Sequence, residues 1–190
     1  FQISSSFENA KKQEIIDGVK ILRMGHPDAR YIFGSVHFQA LFYYLKNFRG
    51  KVDVVIDEIH GIPFFIPFYV KEKKFVLICE VARELWYGMF GLFFGLIGRL
   101  IEKFYLKLVY NNIPIMTISD SSKNELLKEG INKKNITVLP MGLNIQTKII
   151  KYQKEKYPTL IFVGRLSKSK GIEDAIIALN KISKKLDKTK

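Results

Sequence analysis

The sequence has very little cysteine, since Cys79 is the one cysteine among 190 residues. A single thiol excludes an intramolecular disulfide framework and a zinc site built from cysteines, and it is typical of a reducing compartment. The chain also opens without the basic-then-apolar pattern of a secretory signal. Its composition, 47% hydrophobic and 26% charged, is that of a globular protein. We therefore expect a cytoplasmic globular protein.

Acidic residues are also few, with 18 against 31 basic ones and a net charge of +13. About half of the excess lies in residues 151–190, which hold 11 basic and 4 acidic side chains. Such an excess attracts the phosphates of nucleotides, nucleic acids or anionic lipids, although solvated surface lysines are the simpler interpretation. The basic residues are not interleaved with aromatic ones as a base-stacking platform requires, so we expect no nucleic-acid partner.

Motifs for several common chemistries are missing too. The sequence has no Walker A, G-x-G-x-x-G or G-x-S-x-G pattern and no clear pair of carboxylates for hydrolysis. Asp57, Glu58 and His60 stand close together, but their spacing matches no strong ligand motif, so we predict no metal site. His60 follows an apolar run, where either ligand contact or a structural role in the loop fits. Cys79, beside Glu80, is interpreted as a buried thiol rather than a nucleophile.

What is present is a series of short apolar runs. Seven of them predict strands, at residues 1–4, 19–23, 53–57, 75–79, 115–119, 136–139 and 159–163. Helical periodicity covers 31–48 and 172–186, and Ser122 with Glu125 matches a capping box for a helix that stops at Gly130. The alternation predicts an α/β fold, a Rossmann-like parallel sheet with helices on both faces.

This alternation breaks at residues 141–158, where PMGLN at 140–144 leads into a polar, lysine-rich run. We interpret 141–158 as a linker between a first domain, 1–140, and a second unit, 159–190. The second unit holds one predicted strand and one predicted helix, which cannot bury a core of their own. We therefore expect it to be the start of a truncated domain.

An apolar stretch at 85–101 allows two interpretations. Residues 85–98, LWYGMFGLFFGLIG, carry no charge, but these 14 residues are fewer than the ~20 of a membrane-spanning helix. Arg83 and Glu84 precede the stretch, and its apolar part is followed by Arg99, Glu102, Lys103 and Lys107. Aromatic apolar surface beside basic residues suits peripheral contact with a membrane, and a helix packed in the core or against a partner fits as well.

The strongest chemical signal is the loop VGRLSKSKG at 163–171. A predicted strand ends at Gly164, Arg165 and Lys170 follow in a short polar loop with Lys168, and Gly171 opens an amphipathic helix. A guanidinium group, ammonium groups and the N–H groups of a helix N-terminus all favour a diphosphate. An exposed basic loop without a ligand is the alternative that the spacing leaves open.

The segment FVGRLSKSKGIEDAIIAL resembles the motif that opens the second domain of family-4 glycosyltransferases, enzymes with the GT-B fold. Upstream, DVVIDEIHGIPFF, ICEVARELW, TISDSSKNELLKEGI and ITVLPMGLN resemble the first-domain strands, the serine-started helix and the interdomain turn of that family, in the same order. The resemblance covers about residues 15–186.

This resemblance implies a transferase with an acceptor-side Rossmann-like domain at 1–140 and a donor-binding domain that begins at 159. The family transfers a sugar from a nucleotide-sugar with retention and without a metal or other cofactor. The residues that would bind the donor diphosphate are Gly164, Arg165 and Lys170, and those that would line the cleft are His60, Cys79 and Glu80.

The sequence departs from the family pattern in three ways. The family's opening strand and glycine-rich loop would lie before Phe1, and its paired-glutamate motif would lie beyond Lys190, so the resemblance implies a fragment that is inactive alone, with no catalytic residue assigned. Related sequences usually carry histidine where this chain has Cys79. We expect a lipid-linked or polysaccharide acceptor at the inner face of the plasma membrane. The alternative is a non-catalytic, truncated or degenerate homologue that binds a membrane or a partner.

Overall fold

The computed structural model describes residues 1–26, 32–142, 153, 155–166 and 170–184, and it divides into two compact units, Phe1–Gly142 and Leu143–Lys190. The strands are β1 (Gln2–Ser5), β2 (Gln13–Ile16), β3 (Val19–Met24), β4 (Val54–Glu58), β5 (Lys73–Leu77), β6 (Ile115–Thr117) and β7 (Ile136–Val138). The helices are α1 (Ile32–Asn47), α2 (Leu85–Phe104), α3 (Asp120–Lys128) and α4 (Ile172–Ser183). Shorter helical turns lie at Ile66–Phe68, Tyr105–Val109 and Lys133–Asn135.

A four-stranded parallel sheet organises the first unit, in the order β4-β5-β6-β7. Its strands coincide with four of the predicted apolar runs. Helices α2 and α3 form two of the three crossovers that parallel neighbours require, and the segment with the turn Ile66–Phe68 joins β4 to β5. The α/β class with a parallel sheet is therefore confirmed, and the arrangement is compatible with a Rossmann-like fold. Val76 and Ile115, on the two central strands, are almost inaccessible to solvent.

A second, three-stranded sheet corrects the prediction of one continuous sheet. Its order is β1-β3-β2, with β1 parallel and β2 antiparallel to β3. Strand 19–23 thus belongs to this sheet. Asp17 and Gly18 have φ of 49° and 80°, so they form the left-handed two-residue turn that joins β2 to β3. Strand β2 was not predicted, although the Asp-Gly dipeptide between two short runs is a hairpin signal.

The core of the first unit lies where the parallel sheet meets the segment after α2. Tyr105, Leu106 and Tyr110 pack there with Leu126 of α3 and Ile78 beyond β5. Leu126 is fully buried, and burial of a side chain of this size stabilises the fold by roughly 1.5–3 kcal/mol.

The second unit corrects the prediction of a strand at 159–163. These residues are irregular and exposed, with Ile161 and Val163 each 86% accessible. A strand is held by ladder hydrogen bonds to a neighbour, and the described residues of this unit contain no strand that could supply them. The predicted helix 172–186 is confirmed as α4 over Ile172–Ser183. Most of the predicted linker, 143–152 and 154, and the last residues, 185–190, lie outside the described residues.

Candidate functional site

The loops that follow β4, β5 and β6 meet at one edge of the parallel sheet, because parallel strands all end on the same side. The backbone ladder continues into two of these loops: Ile59 N–H donates to Leu77 O at 2.9 Å, and Ile78 N–H donates to Met116 O at 3.0 Å. Glu58, His60, Cys79, Glu80 and Ser119 stand at this carboxyl edge. In an open parallel sheet this edge is where ligands bind.

Glu58 and His60 form a surface pair at this edge. His60 Nε2 lies 3.1 Å from Glu58 Oε1, and both side chains are more than half exposed. An exposed pair of this kind contributes little to stability. Both groups are therefore free to reach a ligand at little cost to the fold.

Cys79 is less exposed than Glu58 and His60, and its thiol is less reactive than an ordinary one. Burial raises the pKa of its thiol, and the charges of Glu58 and Glu80 raise it further. The thiol stays protonated at neutral pH, and the protonated form is a poor nucleophile. This geometry agrees with an inert thiol, although Cys79 is only partly buried.

The N-terminus of α3 holds the Cys79 loop in place. The N-cap is Ser119, whose Oγ accepts from Ser122 N–H at 3.1 Å, so the predicted cap at Ser122 is wrong by one turn. Ser122 Oγ instead donates to Cys79 O at 2.6 Å. Both serines fit a capping pattern, but Ser122 is already inside the helix and its hydroxyl serves the neighbouring loop. The predicted stop at Gly130 is confirmed, since its φ is 92°.

Asp57 has a structural role inside the protein, whereas its neighbours Glu58 and His60 are exposed. Its side chain is 2% exposed and accepts hydrogen bonds from Tyr110 Oη at 2.6 Å and Phe64 N–H at 3.2 Å. Burial raises its pKa, and these donors oppose the shift. Asp57 thus ties β4 to the core. Within the described part of the chain, no three His, Cys, Asp or Glu side chains are grouped as metal ligands.

A cavity of about 820 Å³ adjoins the carboxyl edge. It lies between β1 and β4, each an edge strand of its sheet among the described residues, and Val36, Ala40 and Tyr44 of α1 line it. Its volume suits a small-molecule ligand. Glu58 and His60 belong to its lining, whereas Cys79 and Glu80 do not.

His37 is a polar residue of the cavity lining to which the sequence assigned no role. Its Nε2 lies 3.2 Å from Ile62 O, and its Nδ1 is buried with no hydrogen-bond partner among the described residues. A buried nitrogen left unpaired costs free energy that a ligand could recover. Its position in the aromatic helix α1 carried no sequence signal for this role.

The predicted diphosphate residues lie in the second unit. Gly164, Arg165 and Lys170 are all exposed, and 167–169, with Lys168, lie outside the described residues. Gly171 has φ of 64° and caps α4, whose first turn carries Glu173 and Asp174. These two carboxylates weaken the attraction of the helix N-terminus for an anion. The two cations would therefore have to supply most of the attraction for a diphosphate.

Comparisons with known proteins found no match: no family model, no curated protein and no solved structure is similar to this chain.

Proposed function

We propose that the chain is part of a retaining, metal-independent glycosyltransferase of the GT-B type. The enzyme would transfer a sugar from a nucleotide-sugar to a lipid-linked or polysaccharide acceptor at the inner face of the plasma membrane. The supporting observation is topological: the upstream segments that resemble the family form β4, the loop that follows β5, the end of β6 with α3, and β7 of one parallel sheet. The loops that would line the cleft therefore share one edge.

The acceptor side of the proposal rests on that edge. Glu58 and His60 face the 820 Å³ cavity, and an imidazole or carboxylate there can hydrogen-bond a sugar hydroxyl. Cys79 and Glu80 lie on the next loop along the same edge. A protonated thiol is a weak hydrogen-bond donor, so Cys79 would contribute less to acceptor binding than the histidine it replaces.

The donor side rests on charge. The guanidinium of Arg165 matches a diphosphate by its planar fork, and Lys170 adds a compact charge. Both are exposed, so they are accessible to a nucleotide. In a closed cleft such cations stabilise the charge that develops on the leaving nucleotide, by about 3 kcal/mol for one well-placed group.

Equilibrium dialysis of uridine diphosphate and guanosine diphosphate against the 190-residue chain tests the donor assignment. We expect weak binding and no sugar transfer by this chain alone. Arg165→Ala and Lys170→Ala should each weaken nucleotide binding by about tenfold, whereas Lys181→Ala, an exposed lysine of α4, should not. Nucleotide binding that is unchanged in Arg165→Ala would remove the donor site and reduce the resemblance to one of fold.

The alternative function, a non-catalytic membrane- or partner-binding protein, is favoured by a separate observation. Most apolar residues of α2 are exposed rather than packed in the core. This surface is independent of nucleotide binding.

A further inference from the structure

Helix α2 is a helical hairpin rather than one straight rod. Gly91 has φ 75° and ψ −179°, which breaks the helix into two arms, 85–90 and 92–104. A Cβ placed on Gly95 would lie 2.7 Å from the Cα of Tyr87. Eight residues of straight helix would separate these positions by about 12 Å. The second arm therefore folds back along the first, and Gly91 lies at the tip.

Two glycines make the close packing of the arms possible. A Cβ on Gly98 would lie 2.4 Å from the ring of Trp86, closer than atoms can approach. Gly95 and Gly98 are both buried at the contact, and Trp86 is 4% exposed. The two arms are thus in contact at Trp86, Tyr87, Gly95 and Gly98, and most side chains nearer the tip are exposed.

The hairpin tip, which we define as residues 89–97, is apolar, and apart from the buried Gly95 most of it is exposed. Its exposed side chains are Met89 (60%), Phe90 (40%), Leu92 (82%), Phe93 (71%), Phe94 (66%), Leu96 (48%) and Ile97 (40%). Consecutive helical residues point about 100° apart. Exposure of 92, 93 and 94 in succession therefore means that the exposed apolar surface covers more than one side of the second arm, while Gly95 faces the first arm.

Charged residues anchor the base of the hairpin. Glu102 is 2% exposed and accepts from Ala82 N–H and Arg83 N–H, each at 2.8 Å. Glu129, just after α3, accepts from Arg99 Nη2 at 2.7 Å and from Arg83 Nε at 2.9 Å. These contacts fix the base to the core of the first unit while the tip projects from it.

The exposed charges that flank the hairpin are Glu84 just before α2 and two lysines after the tip. No acidic residue occurs in residues 85–101, and the exposed lysines are Lys103 at the end of the second arm and Lys107 just beyond it. An apolar tip followed by exposed ammonium groups complements the interface of an anionic bilayer, with lipid around the tip and headgroup phosphates near the lysines. Among the described residues no helix is long and apolar enough to cross a membrane.

We propose that the hairpin tip inserts into one leaflet of an anionic lipid bilayer. A lipid leaflet can cover the several exposed apolar sides of the tip at once, and its anionic headgroups match the exposed ammonium groups of Lys103 and Lys107. The two tight glycine contacts keep the arms together, so that the tip enters as a preformed wedge. This inference does not rest on glycosyl transfer, because it uses no residue of the nucleotide or cleft assignment.

Sedimentation of the full chain with vesicles of 70% phosphatidylcholine and 30% phosphatidylserine tests the proposal. We expect binding that the double variant Phe93→Ser/Phe94→Ser weakens by about tenfold or more, because two large apolar side chains lose their burial in lipid. The matched control is Phe38→Ser/Phe42→Ser on α1, whose rings are 64% and 66% exposed but lie elsewhere. This control should bind vesicles like the unmodified chain.

Added salt and substitution of the two lysines separate the ionic from the apolar contribution to vesicle binding. In 0.5 M NaCl we expect partial loss of vesicle binding, because screening removes the ionic part and leaves the apolar part. Lys103→Gln/Lys107→Gln should reduce binding to anionic vesicles and leave the weak binding to pure phosphatidylcholine unchanged. Unfolding temperatures should be unchanged in the phenylalanine variants, since the tip is exposed.

Three results would overturn the proposal. The first is no sedimentation of the folded chain with vesicles. The second is equal loss of binding in the tip and control pairs. The third is a dimer in sedimentation equilibrium that Phe93→Ser/Phe94→Ser dissociates while vesicles remain unbound, which would assign the tip to a second copy. Vesicle binding without nucleotide binding would retain this inference and refute the transferase.

Discussion

Whether a glycine-to-alanine substitution in α2 raises or lowers the free energy of unfolding distinguishes a hairpin from a straight helix. In a straight, exposed helix, alanine at 88, 95 or 98 would each raise the free energy of unfolding by about 1 kcal/mol, because alanine is the better helix former. In the structure only Gly88 has that freedom, since a Cβ there meets nothing within 4 Å. At Gly95 the new Cβ would meet the backbone of Tyr87 at 2.7 Å.

The expected magnitude follows from these two opposing effects. Overpacking against a neighbour that must move costs about 1–3 kcal/mol, and the backbone contact at Gly95 places it at the upper end. After the ~1 kcal/mol of helix propensity is subtracted, Gly95→Ala should lower the free energy of unfolding by about 1–2 kcal/mol. For a chain of this size that lowers Tm by roughly 2–8 °C. Gly98→Ala should behave similarly, because its Cβ would overlap the buried Trp86 ring.

Urea unfolding followed by tryptophan fluorescence is the appropriate assay. Trp86 is the one tryptophan of the chain and lies in the contact itself, so its emission reports the hairpin and the first unit. Gly88→Ala should leave the native emission unchanged and shift the midpoint to higher urea. If Gly95→Ala and Gly98→Ala also stabilise the chain, then the two arms do not touch, and the hairpin is refuted.

Three further predictions concern buried groups. Tyr110→Phe removes a donor to buried Asp57, so it should lower the free energy of unfolding by about 1.5–3 kcal/mol at pH 7 and by less at pH 3, where Asp57 is protonated in both states; equal losses at both pH values would contradict this. Burial raises the pKa of Glu129, but hydrogen bonds from Arg99 and Arg83 outweigh it, so the pKa lies below its ordinary 4.5. The ionised Glu129 carboxylate therefore contributes stability above pH 4.5, and this stability is lost as the pH falls through the folded pKa. Thermal unfolding of Glu129→Gln should therefore show a lower Tm at pH 7 and a smaller difference at pH 3. Because the pKa of Cys79 lies above its ordinary 9.0, its alkylation by iodoacetamide should be slower than that of free cysteine at pH 8 and should still rise above pH 9; a plateau below pH 8 would assign a reactive thiolate instead.

The parallel sheet and the position of the cleft candidates could be predicted from the sequence. Runs such as 53–57 and 115–119 are β-branched and apolar, and strand propensity of this kind is carried by the residues themselves. Because parallel strands end at a common edge, His60 and Cys79 could be assigned to that edge from their positions after apolar runs. The Asp-Gly turn between β2 and β3 was equally readable and was overlooked.

Pairing and contact over distance were decided by the tertiary structure alone. Strand 19–23 was recognised, but its partner β1 lies some 19 residues away, and register between segments leaves no local signature. The apolar run 159–163 has strand propensity, yet it forms no strand, because a strand requires a neighbour to satisfy its backbone.

The difference between local propensity and contact over distance also explains why the hairpin of α2 could not be predicted. The four glycines of 85–98 were visible in the sequence, but the same letters allow one buried helix, one amphipathic helix or two short arms. The approach of Tyr87 to Gly95, eight residues apart, selects the two arms, and this contact exists only in the folded chain. Propensity is a property of neighbouring residues, whereas packing is a property of residues that the folded chain brings together.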